Sequence, residues 1–119
     1  MSKETVLITG GAGGLGTSCA HALKGHRLVI TDYAQGPVDR AVADLKAKGF
    51  DAVGMACDIT DAAAVRKLKD FTAQQGTFKG LVHTAGVSGT VGDPRKVFDI
   101  NLAATAIIVD EFLELAGPG

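Results

Sequence analysis

The chain has 119 residues, of which 46% are apolar and 21% charged, and its net charge is −1. This length is enough for one globular domain with a modest core, and the 12 basic residues are scattered, which excludes the basic patch typical of nucleic-acid-binding proteins. No apolar stretch is long enough to span a bilayer and the first residues lack a signal-peptide pattern, so we expect no membrane partner and a cytoplasmic location.

The chain begins with a predicted strand, a glycine-rich turn and a predicted helix. Residues 5–9 have the composition of a short buried strand, and residues 14–24 show helical spacing. The predicted inner face of this helix consists of Leu15, Cys19, Ala22 and Leu23. Neither Cys19 nor Cys57 has the spacing of a metal site or a redox pair, which indicates small buried thiols.

Strands and helices alternate through the rest of the sequence. Further strands are predicted at 27–31, 52–56 and 80–84. Three further helices are predicted: one from Pro37 to just before Gly49, one capped by Thr60 or Asp61 and ending near Gly76, and a long apolar one at about 95–115, after a loop at 86–94.

This alternation predicts an α/β fold of Rossmann type. Short buried strands separated by helices are typical of a parallel sheet that is covered on both faces. Right-handed crossovers together with a glycine-rich first turn give the strand order 3-2-1-4. A complete doubly wound sheet has further strands, so we expect an incomplete sheet, the first half of such a domain, with the fourth strand at one edge.

The segment 6–16 is the most informative part of the sequence, because a strand runs directly into a glycine-rich turn that opens a helix. Unpaired backbone N–H groups and the positive end of a helix dipole meet there, which suits a pyrophosphate. Glycine permits the backbone angles of such a turn and the close approach of a phosphate. Two registers fit: G-x-G-x-x-G at Gly11, Gly13 and Gly16, and T-G-x-x-x-G-x-G at Thr9, Gly10, Gly14 and Gly16.

The second predicted strand is followed by an acid, Asp32, which lies twenty-one residues after Gly11. This is close to the spacing expected for a carboxylate that binds the adenosine ribose. Such a carboxylate accepts hydrogen bonds from both ribose hydroxyls and repels a 2′-phosphate, and Tyr33 rather than an arginine follows it. We therefore expect NAD and not NADP as the cofactor. The alternative role for Asp32 is that of a turn former or exposed cap.

With Asp32 in place, the chain resembles the short-chain dehydrogenase/reductase family over essentially all its residues. The register that begins at Thr9 and Gly10 matches the family's cofactor motif. Asp58-Ile59-Thr60 resembles its D-[VI]-[ST] segment, whose aspartate contacts the adenine amino group. Thr84-Ala85-Gly86 resembles its N-A-G motif, with threonine in place of asparagine. The cofactor-binding residues that the resemblance implies are Gly10, Gly13, Gly14, Leu15, Gly16, Asp32, Tyr33, Asp58, Ile59, Thr84, Ala85 and Gly86.

Several of these polar residues have more than one interpretation. Asp58 is either an adenine contact or only a helix cap. Asn101 matches the helical asparagine of the family's catalytic tetrad, and the alternative is a polar residue that kinks a helix. Thr84 can still bond the backbone of a neighbouring strand. His83 is predicted to pack at a strand end, whereas His21 and His26 are predicted to be solvated.

The family transfers hydride between nicotinamide and an alcohol or carbonyl carbon, using a tyrosine, a lysine four residues later and a serine. The single tyrosine here, Tyr33, is followed four residues later by Pro37, so no Tyr-x-x-x-Lys pair occurs. In the family these groups follow the helix with which this sequence ends. The resemblance therefore implies an NAD-dependent oxidoreductase for an alcohol or carbonyl substrate. Residues 1–119 are its NAD-binding half-domain without the catalytic half, and we expect these residues alone to be inactive.

Two other functions stay open. One is a non-catalytic NAD-binding module, or a truncated fragment, that acts through a partner. The other is a different Rossmann enzyme, such as an epimerase-like protein, that uses the G-x-G-x-x-G register. The last helix is apolar on more than one face, and in the family the corresponding helix forms part of a dimer interface. We expect a homo-oligomer through this helix, with burial against the rest of the sheet as the alternative.

Overall fold

A computed structural model describes residues 3–85 and 93–116. Four parallel strands form one sheet in the order β3-β2-β1-β4, which confirms the predicted topology. The elements are β1 (Glu4–Thr9), α1 (Gly14–His21), β2 (Arg27–Thr31), α2 (Gln35–Ala47), β3 (Asp51–Gly54), α3 (Ala62–Gln74), β4 (Thr77–His83), α4 (Pro94–Phe98), a π-helical turn (Asp99–Ala103) and α5 (Ala104–Leu113).

The sheet has a hydrophobic core on each face, because successive side chains of a strand point to opposite sides. One face packs against α1 and α2, and the other against α3 and α5. The core under α1 and α2 includes Val6, Ile8, Ala20, Leu28, Ile30, Leu45 and Ala52. The core under α3 and α5 includes Leu7, Val29, Val65, Leu68, Ala104, Ile108 and Phe112.

The predicted inner face of α1 is wrong. Leu15 is 68% exposed, whereas the buried residues of this helix are Gly16 and Ala20. Small residues face inward because α1 lies close to the preceding turn: a Cβ at Gly16 would collide with the Gly10 carbonyl oxygen. The helix also ends earlier than predicted, at His21.

Strand and helix boundaries otherwise shift by a few residues. β4 begins three residues before the prediction, because Thr77 and Phe78 pair with the first residues of β1. The pairing register of β4 shifts at this point, because Phe78 pairs with Thr5 and Gly80 with Val6. Lys79 therefore has no paired residue on β1. The second helix begins at Gln35, before Pro37, and the predicted stop at Gly49 has a φ of +86°.

The last predicted helix is not continuous. A π-helical turn at Asp99–Ala103 separates α4 from α5. Such turns hold one extra residue and are frequent at functional sites. The predicted loop at 86–94 lies outside the described residues as far as position 92.

The cap of α3 and the surroundings of the two cysteines can be compared with the sequence signals. The side chain of Asp61 caps α3 by accepting from the amides of Ala63 and Ala64. Cys57 is buried and Cys19 is half-buried, both as free thiols. Burial raises the pKa of the Cys57 thiol to about 11, so it stays protonated at neutral pH. None of the helices in the described ranges has the length and apolar character needed to cross a membrane.

Replacing Gly54 by alanine should lower the free energy of unfolding by about 1–3 kcal/mol, because the inner surface of α2 leaves no room for a side chain there. A Cβ at Gly54 would lie 2.6 Å from Val38 Cγ1 and 2.7 Å from Val42 Cγ2. Gly80→Ala is the matched control, since a Cβ at that strand glycine meets nothing within 4 Å. Urea unfolding of both variants makes the comparison, and equal losses of stability would contradict this account of the packing.

Candidate functional site

The carboxyl ends of β1, β2 and β4 meet at one edge of the parallel sheet, where the glycine turn (residues 10–13) joins β1 to α1. Gly10 has a φ of +64°, and a Cβ there would lie 2.7 Å from Thr84 Oγ1 and 2.8 Å from the Ala85 nitrogen. Only glycine satisfies both requirements. The glycine turn is therefore pressed directly against the end of β4.

Gly11 was missed as a site residue by the sequence analysis. Its amide donates to the Thr31 carbonyl at 3.0 Å, and a Cβ at Gly11 would lie 2.6 Å from Ile30 Cγ2. The glycine turn thus packs on β2 as well as on β4. The run of glycines was a signal for this contact, but the sequence does not say which glycine faces which strand.

The first turn of α1 leaves backbone amides without partners. Gly13 is the N-cap residue, no side chain among the described residues caps it, and the first turn contains no acid. The first N–H groups of a helix have no acceptor within the helix. A Cβ at Gly14 would meet nothing within 4 Å, and Gly13, Gly14 and Leu15 are exposed. This end of the helix, called the cradle below, is open and positively polarised, which are the properties that an anion-binding site needs.

Asp32 follows β2 and its carboxylate faces the glycine turn. Oδ2 accepts from the Ala12 amide at 3.1 Å, and Oδ1 accepts from the Tyr33 amide at 2.8 Å. The residue is half-buried, and the side chain of Tyr33 beside it is 76% exposed. The carboxylate thereby ties the end of β2 to the glycine turn.

The segment after β3 lies next to this carboxylate. The Cys57 amide donates to the Asp32 carbonyl at 2.9 Å. Asp58 Oδ1 accepts from the amide and hydroxyl of Thr60, at 3.0 and 2.6 Å, while Asp61 caps α3. The N-cap of α3 is therefore Asp61, and the hydrogen bonds given for the Asp58 carboxylate lie within its own turn. The side chain of Ile59 is buried in the core, so a ligand would meet only its backbone.

Thr84 bonds the neighbouring strand as expected. Its hydroxyl donates to the Thr9 carbonyl at 2.6 Å. The amides of Thr84 and Ala85 both approach the hydroxyl of Thr9, at 3.1 and 3.3 Å. Threonine thus fixes the end of β4 against the end of β1, although it has only one polar group. Gly86, the last residue of this predicted motif, lies outside the described residues.

The histidines differ in their surroundings. His83 is half-buried between Thr9 on β1 and Thr105 on α5, as predicted for a packed strand end. His21 is exposed, as expected. The prediction of a solvated His26 is wrong: it is half-buried, and its Nδ1 has no hydrogen-bond partner among the described residues.

Asn101 lies in the π-helical turn and is exposed. Its carbonyl accepts from Thr105 Oγ1 at 2.9 Å. Hydrogen bonds through Thr105 and His83 therefore connect this turn to the strand ends at the sheet edge. The sequence did not predict this connection, because it joins residues from three separate elements.

A cavity of about 280 Å³ adjoins the glycine turn between α1 and α2. It is lined by Ala12, Thr17, Pro37, Arg40, Ala41, Asp44 and Leu45. No sequence motif indicates this cavity, and its lining includes one cationic side chain, that of Arg40. Within ranges 3–85 and 93–116, no group of three or more histidine, cysteine or acidic side chains could hold a metal ion.

Comparison with known proteins places these features in a family. A family model described as short chain dehydrogenase matches residues 4–116. The chain is 34% identical to 1-deoxy-11-beta-hydroxypentalenate dehydrogenase of Streptomyces avermitilis, with 95% of this chain and 46% of that protein covered. It resembles the structure of a short-chain type dehydrogenase/reductase from Mycobacterium ulcerans with a TM-score of 0.84 and 27% identity, over 97% of this chain and 48% of that one.

The fold is also that of an actinorhodin polyketide ketoreductase solved with NADPH, at a TM-score of 0.85 and 21% identity, over 95% of this chain and 47% of that one. The chain spans about half the length of the relatives it matches. Because the family model covers nearly every residue, the chain belongs to the short-chain dehydrogenase/reductase family.

Proposed function

We propose that this chain binds NAD as the cofactor-binding half of an oxidoreductase that transfers hydride between nicotinamide and an alcohol or carbonyl carbon. The observation that carries this proposal is the position of Asp32, whose carboxylate lies against the glycine turn. The name of the Streptomyces relative is that of a dehydrogenase, and the ketoreductase was solved with NADPH. We therefore propose a nicotinamide cofactor, and we argue the choice between NAD and NADP from the residues of this chain.

The cradle at the start of α1 suits the pyrophosphate. Two negatively charged phosphates would meet the free amides of the first turn and the positive end of the helix dipole. Gly14 supports this assignment, because the space that its side chain would occupy is open to an approaching ligand. Gly10, Gly13 and Gly16 keep the turn close enough for backbone contact.

Asp32 favours NAD by charge. A carboxylate has about four lone-pair positions, so the two amides that it already binds leave capacity for two ribose hydroxyls. A 2′-phosphate at the same place would bring two like charges together in a half-buried site. Tyr33 and Leu15 supply exposed apolar surface beside the site, as needed to cover adenine and nicotinamide rings.

The remaining assignments follow the family motifs. We assign Asp58 and Ile59 to the adenine, with Asp58 acting through its carboxylate and Ile59 through its backbone. We assign Thr84, Ala85 and Gly86 to the nicotinamide end of the cofactor, and Asn101 is the tetrad member. The serine and the Tyr-x-x-x-Lys pair are missing from these 119 residues. The chain alone should therefore bind cofactor without turning over a substrate.

The second candidate is a non-catalytic NAD-binding module that acts through a partner. Both candidates require the same NAD site. The two candidates differ in hydride transfer. The oxidoreductase requires that these residues belong to a polypeptide with a catalytic serine and a Tyr-x-x-x-Lys pair that transfers hydride, whereas the module does not.

The chain should bind NAD at least about tenfold more tightly than NADP, a difference of about 1.4 kcal/mol, because Asp32 accepts the ribose hydroxyls and repels a phosphate. Asp32→Asn removes the charge but keeps an oxygen for the Ala12 amide. This variant should reduce the ratio of NAD affinity to NADP affinity, because it should bind NAD more weakly and NADP more tightly than the wild type does. Isothermal titration calorimetry with both cofactors measures the ratio.

Arg40→Gln is the matched control, since Arg40 lines the cavity beside the glycine turn. If Asp32 decides the preference, this variant leaves the ratio unchanged. Tighter binding of NADP than of NAD by the wild type, lost in Arg40→Gln, would contradict the NAD assignment and would make that cavity the phosphate site.

We further propose that a second copy of this chain covers the last helix. Large apolar side chains on this helix are exposed: Phe98 by 57%, Leu102 by 58%, Val109 by 38% and Leu113 by 61%. Their spacing is typical of one side of a helix, while Ala104, Ile108 and Phe112 face the core. Exposed apolar patches of this kind mark interaction surfaces.

The chain should therefore be a dimer or larger in solution, and a Leu102→Lys/Leu113→Lys variant should be a monomer, because two charges would be buried in the contact. Light scattering after size-exclusion chromatography measures the mass. Ala43→Lys, at an exposed position of α2, is the control and should not change it. A wild-type monomer at high concentration would rule out the contact.

A further inference from the structure

His83, the last residue of β4, makes a hydrogen bond with each nitrogen of its ring. Nδ1 lies 2.6 Å from the hydroxyl of Thr9 on β1, and Nε2 lies 2.9 Å from the hydroxyl of Thr105 on α5. The ring is the one side chain that joins the end of β1 to the helix beyond the π-helical turn, among the hydrogen bonds of the described residues. Nothing in the family motifs assigns a role to this position.

The neighbouring hydroxyls determine which nitrogen carries the proton. A threonine hydroxyl has one proton to donate and can accept two hydrogen bonds. The Thr9 hydroxyl already faces two donors, the amides of Thr84 and Ala85. Its proton is therefore left for His83, so Nδ1 accepts and carries no proton.

The same reasoning holds at the other nitrogen. The Thr105 hydroxyl donates its proton to the Asn101 carbonyl at 2.9 Å. It must then accept from His83, so Nε2 carries the proton. The hydrogen bonds run in one direction, from Thr9 through the neutral ring of His83 to Thr105, and from there to the π-helical turn.

We propose that His83 is a positioning residue: its neutral Nε2–H tautomer holds the π-helical turn that carries Asn101 in a fixed place relative to the Thr84–Ala85 end of β4. The role of Asn101 in hydride transfer rests on the proposed function, whereas the hydrogen-bonded link does not. A protonated ring would present a third donor to the Thr9 hydroxyl and break this arrangement. The imidazole ring is long enough to reach both the Thr9 hydroxyl on β1 and the Thr105 hydroxyl on α5. No other hydrogen bond given for the described residues joins these two elements.

The tautomer can be measured on the wild-type chain without cofactor. The imidazole nitrogens of a ¹⁵N-labelled sample report, by NMR, which nitrogen is protonated. We expect the Nε2–H form for His83 at neutral pH, assigned with a His83→Gln sample that lacks its signals. An Nδ1–H form, or a mixture of both tautomers, would overturn the proposal.

Two near-isosteric variants separate positioning from packing. The amide of glutamine can reach the place of Nε2 and donate to Thr105, whereas the shorter asparagine can only replace Nδ1 and accept from Thr9. Amide hydrogen exchange in residues 101–105 should be close to wild type in His83→Gln and about fivefold faster in His83→Asn. Equal exchange in these two variants, whatever their melting temperatures, would show that His83 serves only as packing.

Stability as a function of pH gives an independent readout, since both ring nitrogens face hydroxyls and not charged groups of β1 or α5. Burial lowers the pKa of His83 below its ordinary value of 6.5. The unfolded chain then binds more protons than the folded chain, so the free energy of unfolding falls as the pH drops through 6.5. His83→Gln should lose this part of the slope, and an unchanged slope would contradict a neutral ring.

None of these measurements requires NAD. If the chain fails to bind NAD but shows the Nε2–H tautomer and the exchange pattern, the link stands and the proposed function fails. If NAD binds and the tautomer is Nδ1–H, the proposed function stands and the link fails.

Discussion

The close contact between Gly10 and the end of β4 shapes the whole carboxyl edge of the sheet. A backbone φ of +64° turns the chain sharply after β1, and the lack of a side chain lets it touch Thr84 and Ala85. Because the turn is so tight, α1 begins at Gly14 with its first amides aimed at the same edge. Gly16, in the first turn of α1, adds a second constraint, because a Cβ there would collide with the Gly10 carbonyl oxygen. A bulky residue at either position would move the anion cradle away from the strand ends.

Two polar links hold this edge from opposite sides. On the β2 side, the carboxylate of Asp32 accepts a hydrogen bond from the Ala12 amide. The carboxylate that we assign to the ribose is therefore bonded to the glycine turn that we assign to the pyrophosphate. On the β4 side, the hydroxyl of Thr9 accepts hydrogen bonds from the amides of Thr84 and Ala85 and is hydrogen-bonded to His83. The residues that we propose for the two ends of a dinucleotide are therefore connected through one short turn. This connection means that a change at Asp32 affects both recognition and the shape of the turn.

The sequence was sufficient for the architecture, because local signals indicate the elements, and the crossover rule with the glycine-rich first turn gives their order. Apolar runs, caps such as Asp61 and stops such as Gly49 are each written in a few neighbouring residues. The inner face of α1 could not be predicted in this way. A hydrophobic pattern favours Leu15 as a core residue, but close approach to the Gly10 carbonyl requires the small Gly16 and Ala20 to face inward.

The same limit applies to the site. Asp32 and the glycines could be proposed as cofactor-binding residues from their spacing, because one β-α-β unit contains both the glycine turn and the acid after the second strand. The early start of β4 depends on pairing with Glu4 and Thr5, over seventy residues away in sequence. The π-helical turn and the bonds of His83 likewise arise from contacts between elements. Such contacts depend on how helices and strands are placed, which no local pattern of residues encodes.

The proposed NAD site depends most on the backbone amides at the start of α1, which would bind the pyrophosphate. Titrating the ¹⁵N-labelled chain with NAD, and following the amide signals of Gly13, Gly14 and Gly16, tests this directly. These signals should shift with increasing NAD, while those of Gly25 and Gly49, at turns far from the sheet edge, stay in place. If millimolar NAD leaves the signals of residues 13–16 unmoved, the cradle does not hold the cofactor and the assignment of the site is wrong.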